Sequence, residues 1–451
     1  MDRAKRVIND FIEFAKRRNL PNAIIKDIPF IGNTLESLIL GGDEKIIDEI
    51  IQKFESSLET KILPQLKDII KEYENPIKII LIIGSGVLEN IYQLPVPTKL
   101  QIGKKHIADR KELLGGSGVN YTLRLSNTKH IVFPILSIGN DPLGDKIQEK
   151  ICEEVNKYEK HKILSSLIKS DDFKCKKLVT PQSTIIVSGE DRTIFTEELS
   201  GDYDFCDYVN KQIENIEKIP SLEISAVMIG HIYADDPENN IKLEEPGKIT
   251  KTIIDKFHNK ALIYVNFGNS QLKHGFSFWE KYIRDIDIFQ LSISEIRNFL
   301  SNKKNVKVQD IIPLYEIIEF LKSNEITTLI TLDKFGAVAN FKDGEDGIIF
   351  FWPFELSDFV DSTGAGDAFG AGLVANLYND GELTFGSFFN AIKEARVWSA
   401  FACRTLGGSS GCPDKRTLNT FKKSTPEFGK LEVKGKYDSE FILKLIDRAY
   451  S

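Results

Sequence analysis

The chain has 451 residues, a formal net charge of -7, 41% hydrophobic and 28% charged residues. That is ordinary globular composition with room for one large α/β domain and an appendage, and the mixed charge argues against a dedicated nucleic-acid binder. No apolar run approaches a membrane span and no signal-peptide core is present; five cysteines without a C-x-x-C pair and six histidines without zinc-type pairing suggest a reduced, cytoplasmic protein.

In chain order, residues 1–76 read as a helical extension. Val7, Phe11 and Phe14 fall at helical spacing, as do Ile47, Ile50, Ile51, Phe54 and Leu58, and then Ile62, Leu66, Ile69, Ile70 and Tyr73. These stripes are most simply the core-facing sides of a small subdomain; a homodimer or regulatory face is the sharper reading. After Asn75-Pro76, the run Ile77–Ile83 reads as a buried first strand ending in Gly84-Ser85-Gly86. Pro95 to Arg110 is extended with turns, and Gly115-Gly116-Ser117-Gly118-Val119-Asn120 opens a helix. Ile131 to Leu136 is a second strand, and residues 145–170 are helical. Thr180 to Phe195 is a hairpin turning at Gly189-Glu190-Asp191. Arg192 on that hairpin reads more simply as a solvated edge residue than as a substrate contact. Further buried strands are Ser225–Gly230, Ala261–Val265, Ile286–Leu291 and Thr327–Leu332. Ala391–Thr405 is a helix, and residues 421–451 form a tail with a short helix over Phe441–Ala449.

The densest chemistry lies at Asp361-Ser362-Thr363-Gly364-Ala365-Gly366-Asp367. An apolar, strand-like run precedes it (Ile348 to Trp352, then Phe359 and Val360). A helix-compatible run follows, from Ala368 to Leu377. A strand, a Gly-rich turn and a helix N-terminus direct free backbone N–H groups and the positive end of a helix dipole at one point. A carboxylate there, Asp367, would repel an anion. It makes sense as the group that takes a proton from a hydroxyl attacking phosphorus.

This stretch resembles the D-T-x-G-A-G-D motif of the PfkB/ribokinase family of carbohydrate kinases, with Ser362 in place of the first Thr. Gly115-Gly116 and Asn120 resemble the family's first motif, G-G-x-x-x-N. The resemblance covers residues 77 to about 420. It implies a ribokinase-like fold: a doubly wound, mostly parallel sheet with a small β lid from segments about 92–112 and 178–197. It also implies an ATP-dependent phosphotransferase using Mg²⁺, with K⁺ as a further cation. Its acceptor is a sugar or sugar-like alcohol; a nucleoside is the alternative, given lid aromatics such as Tyr92 and Phe195, and a kinase-like binding protein without catalysis is the alternative of another class.

By the resemblance, Asp367 is the general base. Backbone N–H groups of Gly364, Ala365 and Gly366 form the anion hole. Glu89, Gly115, Gly116 and Asn120 hold the acceptor, Glu89 standing where the family has Asp. Thr331, Gly336 and Gly408 in the 407–411 loop border the nucleotide. Glu295 holds Mg²⁺ through water, and Asp361 serves a monovalent-cation site. Two positions depart from the pattern: Ser292 replaces the Asn of N-x-x-E, and Asp333 replaces a glycine near the phosphates. The plain structural readings are a loop cap for Glu89, a helix N-terminal carboxylate for Glu295, an ordinary turn for Asp333–Gly336 and a connector for 407–411.

Overall fold

The computed structural model describes residues 2–18, 25, 28, 31–39, 45–54, 57–67, 76–95, 99–156, 162–188, 191–219, 221–240, 242–301, 317, 320–321, 326–342, 348–378 and 383–426. The chain divides into two compact units, Met1–Lys78 with Ile213–Glu223, and Ile79–Gln212 with Ile224–Ser451. In the first unit, α1 (Asp2–Arg18), α2 (Gly32–Ile39) and α3 (Lys45–Lys53) share one core. Ile8 and Phe11, Leu35 and Leu38, and Ile47 and Ile50 are buried in it together with Leu66. Their three-residue spacing places each pair on one helix face.

The second unit is built on an eight-stranded sheet. Its strands are β1 (Ile77–Ser85), β4 (Val132–Ser137), β9 (Leu222–Ile229), β10 (Leu262–Asn266), β11 (Ile288–Ser292), β12 (Thr328–Thr331), β13 (Ala337–Asn340) and β14 (Ile349–Phe351), in the spatial order β14-β13-β12-β11-β10-β9-β1-β4. β1–β4, β9–β10, β10–β11 and β11–β12 pair in parallel, while β12–β13–β14 is antiparallel. Ile79, Ile80, Leu81, Ile82 and Ile83 are all fully buried. A continuous apolar strand of that kind is covered on both faces, as in parallel sheets. The helices of this unit are α4 (Ser117–Asn127), α5 (Pro142–Asn156), α6 (Lys162–Lys169), α7 (Phe205–Glu217, whose residues 213–217 count with the first unit), α8 (Lys248–Phe257), the one-turn α9 (Asn269–Leu272), α10 (Gly275–Ile283), α11 (Ile293–Ser301), α12 (Ala365–Leu377), α13 (Phe385–Ala402) and α14 (Lys415–Ser424). α12 packs on α4 and α13.

A second sheet of four strands forms the lid: β3 (Asp109–Gly115), β2 (Val87–Gln93), β6 (Gln182–Ser188) and β7 (Asp191–Thr196), in that order. β2 pairs antiparallel with β3 and parallel with β6, and β6 pairs antiparallel with β7. Only Gly86 separates β1 from β2, so the lid begins at Val87 rather than near 92. Ile91, Ile185 and Val187 of the lid pack with Leu406, which precedes the 407–411 loop.

Phe359 and Val360, read from sequence as strand residues entering the Gly-rich turn, lie in a loop with 49% and 45% of their surface exposed. The strand ends earlier, at Phe351 of the edge strand β14. Pro353 has no N–H to donate to a ladder, and the chain leaves the sheet there. The backbone is held instead by the end of α13: Val360 and Asp361 donate their N–H groups to the Cys403 carbonyl at 2.8 and 3.2 Å. Helix α13 starts before Ala391, because Thr384 caps it by accepting from the Ser387 N–H. The expected helix over Phe441–Ala449 lies outside the described residues.

Candidate active site

Helix α12 begins at the Gly-rich turn. Gly364 is its N-cap with φ +73°, a left-handed conformation that costs a side-chain-bearing residue about 1–2 kcal/mol. A Cβ there would also stand 2.6 Å from Gly408 Cα, so the turn and the 407–411 loop touch backbone to backbone. Ala365, Gly366 and Asp367 form the first turn, where helix N–H groups have no partner within the helix. Of the three amides expected to face an anion, that of Ala365 is turned inward to the Ser362 carbonyl at 3.1 Å. This closes the tight turn and leaves Gly364 and Gly366 as the better candidates. Gln290, on β11, donates through Nε2 to the Gly366 carbonyl at 3.0 Å and ties α12 to the sheet.

Asp367 meets Asn120 of α4. Asn120 Nδ2 donates to Asp367 Oδ2 at 2.7 Å. Gly408 is close by as well: a Cβ on it would fall 2.5 Å from Asn120 Nδ2. Gly116 is the N-cap of α4. Glu89, on lid strand β2, lies against Gly115, where a Cβ would collide with its Oε1. Burial, followed by the negative charges of Asp367 and Asp361, pushes the Glu89 carboxyl up to about 7, with Arg192 opposing. Glu89, Gly115, Asn120, Asp367 and Gly408 thus come together. Among the described residues, Glu89 Oε2, Asn120 Oδ1, Gln290 Oε1 and His231 Nε2 are buried with no hydrogen-bond partner. Orphaned buried polar atoms of this kind are satisfied by water or by a polyhydroxylated ligand. His231 follows β9, and its N–H donates to Ser117 Oγ at 2.8 Å.

Ser292 and Glu295 form a capping box at the start of α11. The Ser292 N–H donates to Glu295 Oε2 at 2.7 Å, and the Glu295 N–H donates to Ser292 Oγ at 3.3 Å. The replacement of Asn by Ser is therefore matched to a local cap. The cap takes Oε2 and leaves Oε1 for other contacts. Among the described residues, no group of three or more His, Cys, Asp or Glu could hold a metal ion. Thr331 ends β12 directly opposite Ser292. Asp333 adopts φ +49°, a conformation Asp tolerates better than most residues. Burial raises its pKa, and the charges of Arg192 and Lys334 pull it down. Gly336 closes that turn.

Asp361, expected at a monovalent-cation site, is otherwise engaged. Its Oδ1 accepts from Arg192 Nη1 (3.1 Å), the Thr363 N–H (3.0 Å) and Thr363 Oγ1 (2.8 Å), and its Oδ2 accepts from the Gly407 N–H (2.9 Å). Arg192, on the edge strand β7 and 34% exposed in its side chain, is therefore engaged with the turn rather than free in solvent. It crosses from the lid and also reaches Ser362 Oγ at 2.9 Å. Sequence reasoning also passed over Arg124, which is 1% exposed on α4, one turn after Asn120. Its Nη2 donates to the Gly408 carbonyl at 2.7 Å, while Nε and Nη1 have no partner. A charged residue breaking the small, polar face of α4 beside Asn120 was the available signal.

A carboxylate held at one oxygen, beside a helix N-terminus and a set of orphaned polar atoms, is arranged to accept a proton from a hydroxyl next to an anion. Comparison with known proteins bears on the family and the fold. Residues 258–415 match the model of the pfkB family carbohydrate kinases. This PfkB segment includes the Asp361–Asp367 turn and the 407–411 loop. Over 98 residues the chain is 36% identical to the aminoimidazole riboside kinase of Salmonella typhimurium, a match covering 22% of this chain and 30% of that enzyme. The chain therefore spans less than a third of the length of this curated relative. In fold it is similar to the ribokinase of Giardia lamblia, with a TM-score of 0.58 and 16% identity over 76% of this chain and 99% of the other. It is also similar to a Burkholderia thailandensis nucleoside kinase in complex with inosine, with a TM-score of 0.53 and 13% identity over 78% of this chain and 100% of the other. The chain has the ribokinase-like fold, with a mostly parallel sheet, a β lid and N-terminal helices.

Proposed function

We propose that the protein transfers a phosphoryl group from ATP to a hydroxyl of a sugar or sugar-like alcohol. The reading rests above all on the Asn120–Asp367 hydrogen bond at the N-terminus of α12. Asn120 fixes Asp367 by its Oδ2, and Oδ1 remains to take the hydroxyl proton as the oxygen attacks phosphorus. Asn120 Oδ1 and Glu89 Oε2, both orphaned, orient neighbouring hydroxyls. The Gly364 and Gly366 amides and the dipole of α12 stabilise charge on the transferred group. Thr331, Gly336 and Gly408 border the nucleotide. Glu295 Oε1 suits a water of Mg²⁺, a hard cation that takes oxygen ligands and keeps several waters; bound Mg²⁺ would neutralise phosphate charge.

A nucleoside acceptor is the second reading. It is favoured by the match to an aminoimidazole riboside kinase and by Tyr233. Burial raises the pKa of that phenol, and the charges of Asp367 and Glu89 add to the rise, so an aromatic ring stands within their field.

The test is ATP consumption over a panel of sugars, sugar phosphates and nucleosides with Mg²⁺ and K⁺, comparing the wild type with Asp367→Asn. Turnover on one class that vanishes in the variant supports the reading and names the acceptor. Equal turnover in both proteins overturns the role of Asp367, and absence of turnover on the whole panel overturns the kinase reading.

A further inference from the structure

We propose that Arg192 is a positioning residue that latches the lid onto the Gly-rich turn, its guanidinium taking the place of a free monovalent cation at Asp361. The proposal rests on the kinase reading of that turn. Arg192 lies on β7 opposite Val187, beside the hairpin turn of the lid. Asp361 lies 169 residues later in the chain, 7% exposed in its side chain.

Three observations converge on this. First, hydrogen donors already occupy the Asp361 carboxylate. Its two oxygens receive four bonds, from Arg192, from the Thr363 amide and hydroxyl, and from the Gly407 amide. A monovalent cation needs outward-facing lone pairs, and it would meet N–H hydrogens and a fixed positive charge instead. Second, the same Nη1 also donates to Ser362 Oγ, so one lid residue holds two successive residues of the turn. The planar guanidinium is suited to holding several acceptors at fixed angles. Third, the Arg192 charge lowers the pKa of both Glu89 and Asp333. It thus offsets the negative charge of three carboxylates, Glu89, Asp333 and Asp361, that would otherwise repel nucleotide phosphates.

An ion pair at the protein surface commonly contributes almost nothing. Arg192 keeps about a third of its side chain exposed, so the experiment must separate a latch from such a pair. Phosphoryl transfer from ATP to the acceptor panel is measured for wild type, Arg192→Lys and Arg192→Gln, in KCl and in tetramethylammonium chloride at equal ionic strength. Hydrogen–deuterium exchange of residues 361–367 is followed in parallel. The expected wild-type rate agrees within about twofold between the two salts. Arg192→Gln should lose roughly 10- to 100-fold in kcat/KM, as for loss of a charge-assisted bond, and Arg192→Lys should recover part of it. Exchange at 361–367 should rise in Arg192→Gln and not respond to K⁺ in the wild type. Stimulation of the wild type by K⁺ of tenfold or more overturns the proposal, as does an Arg192→Gln protein with unchanged kcat/KM. Should no acceptor turn over, the kinase reading fails by itself and exchange alone decides: faster exchange in Arg192→Gln supports the latch, and unchanged exchange refutes it.

Discussion

Asn120 Nδ2 and Asp367 Oδ2 are joined at 2.7 Å across 247 residues of chain. One residue comes from the helix that follows the lid strand β3, the other from the helix that follows the Gly-rich turn. On the proposed function, their bond leaves one oxygen of Asp367 to act as the base. Asp367→Asn keeps the shape of that side chain and removes the base. Its turnover should fall at least ~100-fold, with ATP affinity measured by calorimetry changed less than about threefold.

Asn120→Ala tests the other half of the pair. It frees Asp367 Oδ2 and removes an acceptor-facing oxygen together. Steady-state kinetics should show KM for the acceptor rising and kcat falling, each by roughly tenfold. A variant that changed KM alone would show that Asn120 does not hold the base.

Glu89 gives a pH signature. Its folded pKa is about 7 against an ordinary value of 4.5. Below pH 4.5 the carboxyl is protonated in both folded and unfolded chains and costs nothing. As pH rises toward 7 the unfolded chain ionises first, so stability is lost through that window and then levels off. The gap corresponds to about 3 kcal/mol. Glu89→Gln should therefore melt at a higher temperature than wild type at pH 8 and close to it at pH 4.5, while acceptor turnover falls. Equal melting shifts at both pH values would contradict the raised pKa.

Gly364 and Gly408 are in backbone contact. Gly364→Ala places a Cβ at φ +73° and against Gly408 Cα, and should lose about 2 kcal/mol or more in denaturant unfolding. Gly408→Ala instead presses on the Asn120 amide. It should reduce kcat more than it reduces stability, and chemical denaturation beside kinetics separates the two effects.

Glu295→Gln discriminates a cap from a metal contact, because glutamine also completes a capping box. Stability should stay within about 0.5 kcal/mol of wild type. The Mg²⁺ concentration for half-maximal rate should rise. An unchanged Mg²⁺ dependence would leave Glu295 as a cap only.

Short-range signals carried most of what the sequence foretold. Apolar runs such as Ile79–Ile83 announced buried strands, and the Gly364–Asp367 turn announced a helix N-terminus, because each depends on neighbouring residues. The Ser292–Glu295 box was equally local, yet the resemblance drew attention to a metal. Arg192–Asp361 and Arg124–Gly408 join residues 169 and 284 positions apart, and no periodicity encodes such pairs. Phe359 and Val360 were misread because apolar content resembles a strand even where Pro353 has already ended the ladder.

Gly86 alone separates β1 from β2. On the proposed function, the acceptor carboxylate Glu89 is thus mounted on the lid sheet, and Asp367 on helix α12. The two acids sit on different layers of the fold, so an outward swing of the lid sheet would also separate two charges that repel each other. On that same reading, a hydroxyl-bearing guest that satisfies both would hold the lid sheet down, and its size and hydroxyl spacing would set how firmly the lid closes.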